Sequence, residues 1–280
     1  MKNNLLAFIL LVIPFGLYAE TAVTKPDGDG TAENPYKIEN LENLRWLSEN
    51  EDDWDKHFAQ TANIDATETD IWNDGKGFSP IGNISEKFTG SYNGNYYRME
   101  SLYINRTDEN DIALFGYTDG ATIEKLQLDN VNIKGNSHIG GVVGYSENST
   151  ISQVAMTGYL KGNRNVGGIC GNNDNSTIQE AFSNAIIIAD VDNNGGIVSY
   201  NDGGTIENSY SLSVIHAVDG SSSGGIVGTT YDGEVANCYF AGTFKGSSDK
   251  KGGIVGGTIE PDITYGNFWD IDVSDVTRNM

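Results

Sequence analysis

Five times between Gly140 and Gly256 the chain restarts the same phrase, two glycines followed by a short apolar run. The phrases are Gly140 to Gly144, Gly167 to Gly171, Gly195 to Ser199, Gly224 to Gly228 and Gly252 to Gly256. A second column keeps the same beat: Ile123, Ile151, Ile178, Ile206, Val235 and Ile263. Two columns that drift together by single residues, at a period of about 28, define one structural unit repeated in tandem. The unit is too short for a strand, a crossover helix and their loops, and Gly, Asn, Ser, Thr, Val and Ile dominate it. It therefore reads as strands and turns. Three short strands per turn, stacked at about 4.8 Å, give an all-β parallel β-helix, a β-solenoid, with a right hand expected from the general crossover preference.

Burial follows from the columns. Three residues past the Ile column stand Leu126, Val154, Ala181, Ser209 and Cys238, with polar pairs such as Glu124-Lys125 and Glu207-Asn208 between. Two consecutive polar positions between two inward ones mark a corner, because a straight strand alternates strictly. A third apolar column, Leu160, Ile187, Ile215 and Phe244, closes the core. The glycine pairs fit a tight bend, through positive φ or through close approach of neighbouring backbones.

The ends differ. Residues 1–19 read as a secretory signal peptide: Lys2, an apolar stretch from Leu5 to Leu17, and Ala19 before Glu20. Residues 20–66 are expected to form an N-terminal cap. Within it Asn40 precedes a short amphipathic helix with Leu41, Leu44 and Leu47 on one stripe. Residues 67–269 form the solenoid, with the regular repeats at 112–269, where Phe268-Trp269 covers the last rung. Residues 270–280 make a polar tail. No later segment is long and apolar enough to span a bilayer as a helix.

These phrases resemble the GLUG-motif repeat family, whose members join a Gly-Gly-apolar-Val-Gly phrase to a Thr-Ile-x-Asn-Ser-Tyr phrase. The nearest copies are Gly195 to Ser199 with Thr205-Ile206-Glu207-Asn208-Ser209-Tyr210, and Gly224 to Gly228 with Glu234-Val235-Ala236-Asn237-Cys238-Tyr239. Ser199 stands where the motif closes on Gly. The resemblance implies a secreted or surface-associated bacterial protein, adhesin-like in function, of a kind also found ahead of immunoglobulin-cleaving metallopeptidases. It carries over no catalytic residue, because the chain has no HExxH pattern.

Chemistry is sparse. The 39 acids outweigh 17 bases, a net charge of −22, which disfavours nucleic acid and anionic membranes as partners. Cys170 and Cys238 sit in different repeats and imply no disulfide framework, so two buried thiols are expected. His57, His138 and His216 occur singly, without the clustered Asp, Lys or His of polysaccharide-cleaving β-helices, although such an enzyme stays the alternative reading, with a structural spacer third. An outward column, Thr122, Thr150, Thr177 and Thr205, is broken by neighbouring charges and does not make an ice-binding plane. Asp27 and Asp29, around flexible Gly28 and Gly30, suit a calcium ion or a plain surface turn. Alternation puts Phe182, Tyr210 and Tyr239 outside on successive rungs, a strip suited to a glycan or a cell-surface protein. The acidic surface would favour neutral or cationic ligands there.

Overall fold

The computed structural model describes residues 22–218, 221–248, 250–258 and 263–270. The leader expected at 1–19 and the tail from 271 onward lie outside these residues, as does the side chain of Ile263. The described chain winds into a parallel β-solenoid, and every ladder between its strands is parallel. Each regular turn passes through three sheets. Sheet 1 stacks nine strands, from Tyr36–Ile38 through Thr122–Glu124 and Thr205–Glu207 to Ile263–Tyr265. Sheet 2 carries the longest strands, among them Gln127–Ile139, Ala155–Gly162 and Phe182–Ala189. Sheet 3 stacks six, from Phe115–Asp119 to Val255–Thr258.

The three apolar columns read from the sequence all face inward. Ile123, Ile151, Ile178, Ile206 and Val235 are buried in sheet 1, as are Leu126, Val154, Ala181, Ser209 and Cys238 past the corner. Leu160, Ile187, Ile215 and Phe244 line sheet 2 from within. The polar pair between the first two columns does make a corner. Lys125, Gln153, Glu180, Asn208 and Asn237 all have φ between 51 and 55°, so one residue per turn takes the left-handed conformation that reverses the chain direction. At the last rung the pairing moves by one: Val235 aligns with Thr264 and Glu234 with Ile263. Thr264, rather than Ile263, therefore ends the Ile column, at the same 29-residue step that separates Ile206 from Val235.

The glycine pairs work by space, not by φ. None of the ten has positive φ. A Cβ on Gly196 would overlap the Gly225 carbonyl and the Ser211 side chain, and one on Gly225 would meet the Gly253 carbonyl and the Phe240 ring. Successive turns pass too closely there for any side chain. Ser199, where the motif closes on Gly, is accommodated because its Oγ donates to the Asn193 carbonyl at 2.8 Å.

Sheet 3 buries a polar column beside the apolar one of Phe115, Val143, Cys170, Val198 and Val227. Thr118, Ser146, Asn173, Asn201 and Thr230 occupy one inward column and are all fully buried. Asn173 Nδ2 donates to Asn201 Oδ1 at 2.7 Å and to the Ser176 carbonyl at 3.1 Å, and Asn201 Nδ2 donates to the Gly204 carbonyl at 2.9 Å. Their side chains thus satisfy the backbone of the tight turn that leads into sheet 1. A second buried set, Ser183, Ser211 and Ser213, bonds among its hydroxyls at 3.0 Å in sheet 2. Cys170 and Cys238 are buried free thiols, as expected; burial pushes both upward in pKa, Cys238 to about 11.

The stack begins earlier than the boundary at 67. Tyr36–Ile38 already pairs in parallel with His57–Gln60, and that strand with Ser91–Asn93, so most of the expected 20–66 cap is the first turns of the solenoid. Long insertions hide the period there. One of them holds the helix Leu41–Glu49, capped by Asn40 Oδ1 accepting from the Asn43 N–H at 3.0 Å. Leu41, Leu44 and Leu47 are buried as a stripe, and Trp46 meets Tyr36 edge-on at 5.3 Å. From Tyr36 a file of rings continues through Phe58 and Phe88 to Phe115, joining the helix to the core. Among the described residues no helix is long and apolar enough to cross a membrane.

Candidate functional site

The outer face of sheet 2 is the feature that a structural role explains least. Along each strand the side chains alternate, and Met156, Ser183, Ser211 and Phe240 point inward. Their preceding neighbours therefore point to solvent, and the register places Phe182 beside Tyr210, Tyr210 beside Tyr239, and Tyr239 beside Phe268. The rings of Phe182 and Tyr210 lie 4.5 Å apart, tilted by 32°. Tyr210 and Tyr239 keep 44% and 42% of their surface exposed, so no loop covers the strip. Phe268 extends it by a rung. The expectation that Phe268 and Trp269 together cover the last turn holds only for Trp269, which packs on the core, whereas Phe268 is 68% exposed. Two adjacent residues of one strand cannot both face inward.

The strip is part of a wider apolar patch. Leu212 and Ile186 on the same face are also exposed. Large exposed apolar side chains gathered on one face, rather than scattered singly, mark contact surfaces. The gathering is legible in part, since Phe182, Tyr210 and Tyr239 share a column, and Phe268 continues it at the same 29-residue step that separates Tyr210 from Tyr239.

The remaining candidates sit elsewhere. Asp29 is exposed, and its Oδ1 accepts from the Thr31 N–H at 3.0 Å and the Thr31 hydroxyl at 2.7 Å, bonds that hold its carboxyl below the usual pKa. Asp27, also exposed, accepts through its backbone carbonyl from the Lys37 N–H at 2.7 Å. Among the described residues no three His, Cys, Asp or Glu side chains gather closely enough for a metal. His57 bonds Ser91 Oγ through Nδ1 at 2.7 Å, and His216 lies on the outer face of sheet 2. His138 is less isolated than its sequence context implies: Nδ1 lies 2.7 Å from Asp111, and its ring meets Tyr145 edge-on at 5.4 Å. The phenols near that pair give no base. Tyr145 donates to Asp174 and Tyr117 to Glu147, and burial pushes both phenols well above their ordinary pKa.

Two concavities lie at the ends of the stack. One, about 530 Å³, opens on the last turn between Ile254, Tyr265 and Trp269. The other, about 610 Å³, lies between the helix end and residues 79–84, with Arg106 already bonded to Glu109, Ser79 and the Phe78 carbonyl.

Comparison with known proteins agrees with this architecture. The family model for the GLUG motif matches residues 219–245, the turn that carries Gly224 to Gly228 and Val235. Halomucin of Haloquadratum walsbyi is 37% identical over 135 residues, covering 47% of this chain. A Gly-rich protein of Evansella cellulosilytica, named as a candidate membrane protein, is 35% identical over 136 residues and covers 46% of this chain. The matched regions span only 2% and 15% of those relatives' own lengths. Among solved structures, a candidate immunoglobulin A1 protease of Bacteroides ovatus superposes with a TM-score of 0.58 at 18% identity, over 81% of this chain and 85% of that one. An IgA1 protease superposes with a TM-score of 0.60 at 20% identity, over 86% of this chain and 20% of that one. At such identities the likeness is one of fold alone. The chain is thus a parallel β-solenoid that carries a match to the GLUG motif at residues 219–245.

Proposed function

We propose that this chain is a non-catalytic adhesion or ligand-binding module, displayed at the cell envelope or outside the cell, that holds glycan on the outer face of sheet 2. The observation that carries the reading is the outward aromatic column in which half-buried Phe182 is followed by exposed Tyr210, Tyr239 and Phe268. Rings one rung apart, roughly 5 Å, offer a continuous apolar track for the faces of consecutive sugars. The leader-like start of the sequence and the names of the halomucin and membrane-protein relatives support the location. The test is a glycan-array and affinity-electrophoresis screen of the mature protein beside a Tyr210→Ser, Tyr239→Ser double variant. The variant is expected to lose binding while keeping β-rich circular dichroism, because outward rings contribute little to the core. Normal binding by the variant overturns the assignment of the strip, and steady breakdown of a bound polysaccharide would favour an enzyme instead.

A further inference from the structure

The outer face of sheet 3 holds a constellation for an ammonium group that the chain itself fills near the start of the sheet. Lys87 is the occupant. Its Nζ lies 4.9 Å from the centre of the Tyr117 ring, 3.1 Å from Asp119 and 2.6 Å from Glu147, and the Tyr117 hydroxyl donates to the same Glu147 carboxylate at 3.1 Å. Hydrogen bonds from the ammonium to Glu147 and Asp119 hold its pKa above the ordinary value. Lys87 arrives from the rung before, because its neighbour Phe88 pairs in parallel with Thr118. A ring face and carboxylates on two successive rungs thus grip one positive charge.

Stacking repeats that frame further along the face. Thr118, Ser146, Asn173, Asn201 and Thr230 point inward, so the residues on either side of them face out. The column before them runs Lys87, Tyr117, Tyr145, Asn172, Tyr200 and Thr229, and the column after them runs Asp119, Glu147, Asp174, Asp202 and Tyr231. Three rungs past the filled constellation, Tyr200 and Asp202 therefore stand where Tyr117 and Asp119 do, with Asn172 in the place of Lys87. Exposed Asp232, beside Tyr231, supplies the carboxylate of the next rung. Asn172 and Thr229 flank Tyr200 in its column, so no ring stacks on it there in the way that Tyr145 stacks on Tyr117 at 4.6 Å.

What this second place lacks is the cation. Among the described residues Asp174, Asp202 and Asp232 meet no lysine or arginine; Asp174 accepts from Tyr145 and Asn175, whereas half-buried Asp202 has no hydrogen-bonded partner for its carboxylate. The two ends of the column differ accordingly. Asp119, bonded to Asn148 and Lys87, is held below its ordinary pKa, while burial, with Asp174 and Asp232 near, pushes Asp202 above it. A metal ion does not fit, because no three carboxylates or imidazoles converge closely enough among the described residues. An ammonium does, since Lys87 needs only one carboxylate oxygen from each of two rungs. One exposed ammonium contributes little by itself. An extended chain, however, presents alternate side chains about 7 Å apart, and Asp174, Asp202 and Asp232 lie on three rungs spaced by about 4.8 Å, so two lysines of such a chain reach them together. Tyr231, 39% exposed, adds apolar surface beside them, and the chain's net charge of −22 draws a basic segment in.

We propose that the outer face of sheet 3 docks an extended, lysine-bearing segment of a partner protein, one ammonium seating on the Tyr200 ring between Asp202 and Asp232 as Lys87 seats on Tyr117. This face is separate from the aromatic column of sheet 2, and the two assignments stand or fall independently. The experiment follows the fluorescence anisotropy of a labelled peptide of three lysines alternating with glycine, beside the same peptide acetylated on every Nζ. The wild-type chain is expected to bind the lysine peptide at least about ten-fold more tightly than the acetylated one, with the difference shrinking as salt rises. Asp202→Asn, Asp232→Asn should weaken the lysine peptide by about ten-fold, and Tyr200→Leu by about three-fold, at unchanged circular dichroism. Glu51→Gln, Asp52→Asn removes as much charge from the short helical turn Glu51–Asp53, away from sheet 3, and should stay within about two-fold of wild type. Equal binding of the two peptides overturns the proposal, and so does a loss on the Glu51, Asp52 variant as large as that on the Asp202, Asp232 variant, which would mean attraction by net charge alone. Spermidine, a free amine of the same charge, should compete poorly; if it binds as tightly as the peptide, a protein segment is not the occupant. Tyr210→Ser, Tyr239→Ser should bind the peptide as wild type does, and its failure to do so would move the binding to sheet 2 and overturn the assignment.

Discussion

Replacing Asn201 by Ala should destabilise the solenoid by about 3 kcal/mol, although the sequence presents this residue as an ordinary polar position. Asn201 is fully buried in the inward column of sheet 3. It accepts from Asn173 Nδ2 at 2.7 Å and donates to the Gly204 carbonyl at 2.9 Å and to Thr230 Oγ1 at 3.3 Å. Three bonds at roughly 1 kcal/mol each set the scale. The total is held down because Asn173 keeps the Ser176 carbonyl and Gly204 keeps the Glu234 N–H at 2.9 Å, and it is raised by the cavity that Ala leaves. At 2–4 °C per kcal/mol for a domain of this size, the melting temperature should fall by about 6–12 °C. Asn201→Thr should recover more than half of the loss, because Thr230 and Thr118 occupy the same column with a hydroxyl. Asn201→Leu restores volume without the bonds and should remain destabilised. Guanidinium melts analysed for both midpoint and slope make the measurement, since a stacked repeat protein can lose cooperativity. If Asn201→Ala and Asn201→Leu both lie within about 0.5 kcal/mol of wild type, the polar interior does not hold sheet 3 together and the reasoning fails.

Two further outcomes are expected. Ile206→Asp should prevent folding, at more than about 5 kcal/mol, because it opens a cavity in sheet 1 and buries a carboxylate without a partner; Glu207→Ala, one position on and facing out, should stay within about 0.5 kcal/mol, and equal melting temperatures for the two would refute the register. Burial, with Asp174 and Asp232 nearby, raises the pKa of Asp202; a raised carboxyl favours folding only when protonated, so its contribution is present below the unfolded value and is lost as pH rises through the folded one. Asp202→Asn should therefore be more stable than wild type at pH 7, with the advantage vanishing in acid, and a difference independent of pH in parallel melts would show that the carboxylate is not destabilised.

The regular part of the molecule was legible because stacking in register converts a sequence period directly into spatial neighbours. Ile123 lies beside Ile151 and Ile178 beside Ile206 for no other reason than the spacing of about 28 residues. Strict alternation then assigned inside and outside, which is how Phe182, Tyr210 and Tyr239 could be placed on the surface before any coordinates. The first turns were less legible. The helix Leu41–Glu49 and the insertions around it break the count, so Tyr36–Ile38 did not read as a rung.

Other features required the folded chain. Asn173, Asn201 and Ser146 have the composition of exposed turns, and only the stacking of one rung on the next supplies the partners that make their burial affordable. The glycine pairs signalled a bend from sequence, but whether they answered a positive φ or a close approach depended on where the next turn's backbone passed. One more is the hollow of about 470 Å³ on the outer face of sheet 2, where Tyr103, Asn132, Tyr159 and Ile186 share a column without sharing a residue type. Sequence by itself determined the repeat, its inward register and its overall charge, because these depend on spacing and composition along one chain. Tertiary structure decided which polar groups find partners and where the surface is concave, because both depend on the relation of each turn to its neighbours.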